Sequence, residues 1–221
     1  MFLLQSKKEN QMQLYKRFYL LLLFTAGCGP FAKFISPDFT RPEAIAILPT
    51  INQTTDVDGA IVFRNLLFLA MQDEDYTVLL ENEQVDSLLN LEGITDGGQL
   101  ESVENQELFD ILGVDGLLFI ELLTCEYKTI GISETRKIEA NFQLYKPPSQ
   151  LIWEDEREVD KGKSAFGAIF GFLSNPKETL KVSSEDFKKQ VAAKGVKMWL
   201  LEHELKPEME EVINKTIQTL P

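Results

Sequence analysis

The sequence predicts an α+β fold. The sheet is mixed, with strand–helix alternation in the first half, an antiparallel meander in the second, and helices packed on the sheet. Three observations carry this. Ile45-Ala46-Ile47-Leu48 is an apolar run stopped by Pro49, and a helical pattern follows it closely. Val114 to Leu123 is the longest apolar strand pattern in the chain. Beyond Glu126 the pattern changes to alternation, with Arg136, Ile138, Ala140, Phe142 and Leu144 on one phase and Lys137, Glu139, Asn141 and Gln143 on the other. Short apolar runs and period-two alternation are the two signatures of strands, and a strand feeding a helix opens an α/β layer.

Taken in order, residues 1–27 have the layout of an export signal. Lys7, Lys8, Lys16 and Arg17 form a positive region, Phe18 to Phe24 an apolar one, and Thr25-Ala26-Gly27-Cys28 a small-residue close. The apolar run is shorter than the roughly 20 residues that span a bilayer. A cysteine directly after Ala-Gly is the lipobox arrangement, which makes Cys28 the lipidated first residue of the mature chain, although Thr25 stands where leucine is usual. Met12 is a second candidate start. Acyl chains of the palmitate kind on Cys28 would hold the protein to the membrane, since each buried CH₂ contributes about 0.8 kcal/mol. Gly29 follows where lipoprotein sorting reads aspartate as retention in the inner membrane, so the pattern resembles that of outer-membrane lipoproteins facing the periplasm. Residues 28–42, with Pro30, Pro37 and Pro42, form an extended tether. Residues 43–206 are the α+β periplasmic domain and 207–221 a carboxy-terminal helix.

The chain has 221 residues and a formal charge of −13. Removing residues 1–27 takes away four basic residues and one acidic one, leaving −16 on the remainder. That length suffices for one domain with a core. The acidity excludes nucleic acid as a partner, because phosphate rewards clustered Lys and Arg. It also opposes lying flat on anionic lipid, so the anchor must provide membrane contact. With Cys28 lipidated and Cys125 alone, no disulfide framework exists.

After the Ile45–Leu48 strand, Thr55 or Asp56 can accept from the free N–H groups that open the next helix, which carries Ile61, Phe63, Leu66, Leu67 and Ala70. Tyr76 to Leu80 reads as a second strand and residues 81–91 as a second helix. Gly93, Gly97 and Gly98 mark a turn; the spacing and acidic flanks do not suit a phosphate cradle. Residues 104–112 form a third helix capped by Gly113. Lys146 to Gln150 is a turn, and Leu151 to Val159 returns as a strand with Trp153 in the core. The whole reads as an α+β sandwich with helices on one face. Gly162 to Leu173 is apolar and glycine-rich and matches neither period. Its Phe166, Ile169, Phe170 and Phe172 are candidate contacts with a protein partner, with lipid or with a second copy of the chain; the other reading of the segment is a short helix folded back onto the sheet. The carboxy-terminal part is helical, capped by Ser183 or Ser184, with a further short helix from Glu208 to Ile217.

No catalytic pattern emerges. No serine elbow, Walker loop or paired-histidine motif occurs, so no cofactor and no metal is expected. His203, in a Glu-His-Glu context, reads as a solvated face residue. The loop bearing Asn52, Thr55, Asp56 and Asp58 is read as a turn plus helix cap; its other reading is a ligand site, with Asp56 and Asp58 spaced like calcium ligands but lacking the rest of a calcium loop.

Leu48-Pro49, Asn52, Thr54-Thr55-Asp56-Val57-Asp58, Gly93-Ile94-Thr95-Asp96 and Leu112-Gly113-Val114-Asp115-Gly116 together resemble a family of uncharacterised bacterial lipoproteins. That family is similar in fold to the amino-terminal domain of TolB and, more distantly, to the curli-secretion and peptidoglycan-synthase-activator lipoproteins. The resemblance covers roughly residues 43 to 200 and includes no catalytic signature. It implies a lipid-anchored, non-catalytic accessory subunit of an envelope assembly or transport complex that binds other envelope proteins. Two other readings remain at this level. One is a regulator of a cell-wall synthase. The other is an envelope hydrolase or small-ligand binder using Asp56, Asp58 and Asp96.

Overall fold

The computed structural model describes residues 31–73, 78–130, 133–162 and 203–221. Its strands are β1 (Phe34–Ile35), β2 (Ala44–Ile47), β3 (Ile51–Asn52), β4 (Val78–Leu79), β5 (Gly116–Ile130), β6 (Ser133–Lys146) and β7 (Gln150–Asp160). Its helices are α1 (Val57–Asp73), α2 (Asn82–Leu91), α3 (Asn105–Leu112) and α4 (Lys206–Ile217), with a 3-10 turn over Gly97–Ser102. The strands form one sheet in the order β1-β7-β6-β5-β2-β4, with β3 also on β5. The pairs β2–β4, β2–β5 and β3–β5 are parallel; β5–β6, β6–β7 and β1–β7 are antiparallel. This is the predicted mixed α+β sheet. The described residues from Ala32 onward form one compact unit.

The helices cover both faces of the sheet, not one. Ile45 and Ile47 of β2 and Leu118, Ile120 and Leu122 of β5 face α1 and α4, in a core that includes Phe63, Phe142, Trp153 and Met209. Ala46, Leu48 and Leu117 face α2 and α3, against Val85, Leu89 and Leu108. The reason lies in β2, where successive side chains point to opposite faces. Both phases of Ile45-Ala46-Ile47-Leu48 are apolar and fully buried, the pattern of a strand covered on both sides. β6 has one apolar phase: Ile138, Ala140, Phe142 and Leu144 are buried, while Lys137 and Glu139 form a surface ion pair.

Single residues fix the register of the central strands. Asp115 accepts from the backbone N–H groups of Ala44 at 2.7 Å and Glu43 at 3.0 Å, tying the entry of β2 to that of β5. Gly113 ends α3 in the left-handed conformation at φ 64°, which glycine adopts without strain. Trp153 is buried and donates from its indole N–H to the Thr219 carbonyl at 3.1 Å. The buried Asp155 accepts from the Thr219 hydroxyl at 2.7 Å. Arg136 of β6 clasps the buried Glu208 of α4 through Nε and Nη2 at 3.0 and 3.1 Å. The Glu208 hydrogen bonds hold that guanidinium charged, raising its pKa further.

Cys28, residues 163–173 with Phe166, Ile169, Phe170 and Phe172, and the helix expected over 183–200 lie outside the described residues. Of the strand expected over Tyr76–Leu80, Val78–Leu79 is described.

Candidate functional site

The loop between β3 and α1 folds on its own side chains. Asn52 Oδ1 accepts from the Thr54 N–H at 3.0 Å and hydroxyl at 2.8 Å, Thr54 Oγ1 accepts from the Asp56 N–H at 3.1 Å, and Asn52 Nδ2 donates to the Asp56 carbonyl at 3.0 Å. Short polar side chains close such turns by bonding to backbone two residues away. The web delivers Asp56 to the amino terminus of α1, where its Oδ1 accepts from the Gly59 N–H at 2.8 Å. Of the two residues that could cap this helix, Asp56 does so, a contact worth about 1 kcal/mol. Thr55 and Asp58 are exposed.

Asp56 also gathers two distant residues. Its Oδ2 lies 2.8 Å from His203 Nε2 and 3.4 Å from Cys125 Sγ on β5. His203 is therefore no solvated face residue: its side chain is only 11% exposed. The Leu205 N–H donates to His203 Nδ1 at 3.0 Å. This assigns the proton to Nε2, because a nitrogen that accepts a backbone hydrogen bond carries none. Nε2–H then donates to the carboxylate. Burial pushes the Asp56 carboxyl up, but hydrogen bonds from Gly59, His203 and Cys125 outweigh it and hold the pKa below its ordinary value. Burial, reinforced by the adjacent Asp56 charge, pushes the Cys125 thiol up to about 12.

Such an oxygen, sulfur and nitrogen set, all within 4.8 Å, has the composition of a metal site, but its hydrogen bonding does not suit one. A ligating imidazole presents a bare nitrogen to the metal and donates its other N–H outward; here Nε2 holds the proton and Nδ1 accepts. Thiolate catalysis is opposed as well. A nucleophilic cysteine needs a lowered pKa and a base directly beside it, whereas Cys125 and His203 share one acceptor and the thiol is harder to ionise. The three side chains work as a latch joining α1, β5 and the approach to α4.

On another side of α1 lies an open cleft of about 610 Å³. Its walls are Val57, Ala60, Ile61, Arg64 and Asn65 of α1, Asn82, Glu83, Asp86 and Asn90 of α2, and the turn Ile94 to Gly97; Pro49, Thr50 and Asn52 close one end. It sits beyond the carboxyl end of β2, where helices from opposite faces of the sheet diverge, the usual place for a crevice in open α/β sheets. Arg64 braces it from within, donating from Nε and Nη2 to the Ile47 carbonyl at 3.1 and 2.7 Å and from Nη1 to Asp86 at 2.6 Å. At Gly97 a Cβ would lie 2.3 Å from the Thr50 carbonyl oxygen, so only glycine lets this wall close. Asp96, the other candidate carboxylate, lines the cleft and caps the 3-10 turn through Gly98 N–H at 2.8 Å. The structure thus brings Asn52 and Asp96 to the cleft and Asp56 to the latch.

A family model described as "Putative lipoprotein GNA1162-like" matches residues 35–202, more than half of the chain. The chain belongs to that family. The resemblance read from Leu48-Pro49, Thr54 to Asp58 and Leu112 to Gly116 is borne out. No curated protein matches the chain. Solved structures to which it is similar include lipoprotein GNA1162 from Neisseria meningitidis, at 18% identity over 69% of this chain and 99% of that one, with a TM-score of 0.49. Others are the PelC dodecamer from Paraburkholderia phytofirmans (14% identity, 62% of this chain and 85% of that one, TM-score 0.36) and the LpoB C-terminal domain from Escherichia coli (14%, 57% and 88%, TM-score 0.39). The GNA1162-like match includes Asp56, Cys125 and the whole cleft but stops one residue short of His203. No local signal marks that histidine as a site residue: its partner Asp56 is 147 positions away.

Proposed function

We propose that this member of the GNA1162-like lipoprotein family is a lipid-anchored protein of the cell envelope. In this reading its folded domain binds other envelope proteins as a non-catalytic accessory subunit of an assembly or transport complex. The observation that carries the non-catalytic part is the way Asp56, Cys125 and His203 are used. Their hydrogen bonds are directed at one another and at the backbone, and the thiol is pushed away from ionisation. A hydrolase built on Asp56 would have to break a helix cap to act. Family membership and the Ala26-Gly27-Cys28 sequence support the anchor, and Gly29 supports the outer membrane. No helix among the described residues is long and apolar enough to cross a membrane. Phe166, Ile169, Phe170 and Phe172 are the residues we assign to partner contact, including contact with a second copy.

The test is photo-crosslinking in cells from a probe replacing Phe166 and then Phe170, alongside palmitate labelling of the wild type and Cys28→Ser. Label on the wild type alone, with a discrete protein adduct from either position, is the expected result. Labelling that survives Cys28→Ser removes the anchor. Adducts to lipid only, or none from a folded protein, remove the partner role of this segment.

A further inference from the structure

The cleft beside α1 has a chemistry that the anchored-subunit reading does not specify. Its lining holds one cation, Arg64, against the three carboxylates Glu83, Asp86 and Asp96. Arg64 is 7% exposed and spends its donors on the Ile47 carbonyl and Asp86, so it has little to offer an incoming anion. The positive end of α2 would favour an anion, but Glu83 in the first turn offsets it.

A second observation points the same way. Asn82 is 7% exposed and lines the cleft, yet its Oδ1 has no hydrogen-bond partner, while its Nδ2 donates to Asn65 Oδ1 at 3.0 Å. A buried amide oxygen without a donor is costly, by about 1–3 kcal/mol, and an occupant that donates there would relieve it. The uncharged lining mixes neutral polar side chains (Thr50, Asn52, Asn65, Asn90 and Thr95) with the apolar Pro49, Ala60 and Ile94, and Val57 and Ile61 are exposed by 68% and 46% at the α1 lip. A site with an apolar approach and an acceptor-rich, negatively charged interior suits a long side chain with an aliphatic stem and a cationic head.

We infer that the cleft receives a lysine or arginine side chain from a partner protein, its head group among Glu83, Asp86 and Asn82 and its apolar neighbours over Val57 and Ile61. Charge complementarity selects this occupant over an acidic segment. The inference rests on the protein-binding reading above and gives that partner a chemistry.

The experiment uses the full-length chain in detergent, carrying a photo-crosslinking residue in place of Ile61. The probes are a fluorescent peptide of alternating leucine and lysine and the same peptide with glutamate for lysine. We expect saturable adducts with the lysine peptide alone. Half-saturation should shift about tenfold higher in Glu83→Lys and stay unchanged in Glu158→Lys, which alters the same charge on β7. Glu83→Gln, with a smaller shift, guards against misfolding of the reversal. Equal adducts with the glutamate peptide, or equal weakening by both charge reversals, overturns the site in favour of general attraction to an acidic protein. Competition by spermidine at the peptide's own concentration overturns the protein origin of the cation. A protein adduct from Phe170 in cells without peptide binding here discards the cleft and keeps the accessory role. Peptide binding here without any protein adduct in cells does the reverse.

Discussion

Different sides of α1 carry two polar clusters, and the two behave differently. In the latch, Asp56 accepts from a backbone N–H, an imidazole and a thiol, and the imidazole's other nitrogen accepts in turn. In the cleft, Asn82 keeps an unpartnered oxygen and the lining holds three carboxylates and one buried guanidinium. Residue types alone would have ranked them the other way, because Asp, Cys and His are the usual signs of chemistry. What separates them is satisfaction. Polar groups that complete one another hold a fold together, and those left incomplete in an open cavity are what a ligand can complete.

Variants quantify the contrast. The largest effect is expected at the cleft wall, where Gly97→Ala drives a Cβ into the Thr50 carbonyl and should cost about 3 kcal/mol in urea unfolding. The latch should remain closed, which iodoacetamide can report. With its thiol pushed up to about 12, native Cys125 should alkylate at pH 8 on the order of a hundredfold more slowly than in the unfolded chain, and Gly97→Ala should not change this. Asp56→Ala removes the cap and strands its donors, so a loss of about 2 kcal/mol is expected, with faster Cys125 alkylation.

The latch also carries a pH signature. The Asp56 pKa is lower folded than unfolded, so the native state binds the proton less tightly. Its contribution is complete above the ordinary value of 3.8 and is lost as pH falls below that through the folded pKa. The stability gap between wild type and Asp56→Asn should close over that acidic range and stay constant above pH 5. The smallest effect is expected at Asn82→Ala, at about 0.5 kcal/mol or less, because one amide bond and one unpartnered oxygen leave together.

Much of this fold was legible in the sequence, and the limits are physical. Ile45 to Leu48 feeding α1, the long β5, the alternating β6 and the Gly113 cap are local patterns, and each is present at about the expected residues. The apolar character of both phases of β2 already implied helices on both faces; reading the meander alone suggested one. Asp56 as a cap was legible because its bond to the Gly59 N–H lies within four consecutive residues. Its bonds to Cys125 and His203 were not, since they span 69 and 147 positions and depend on how β5 and the approach to α4 pack. The cleft escaped for the same reason: α1 and α2 each show one polar stripe, and only the sheet between them turns the stripes towards a common opening.

The imidazole of His203 reports most directly on whether the Asp56 cluster is a latch or a reaction centre. Nitrogen-15 spectra of the ring at pH 7 should show a neutral imidazole protonated on Nε2, with Nδ1 bare and unmoved by added zinc. A ring protonated on Nδ1, or a zinc-dependent shift of Nε2, would contradict it and return Asp56, Cys125 and His203 to the chemistry of a metal or catalytic site.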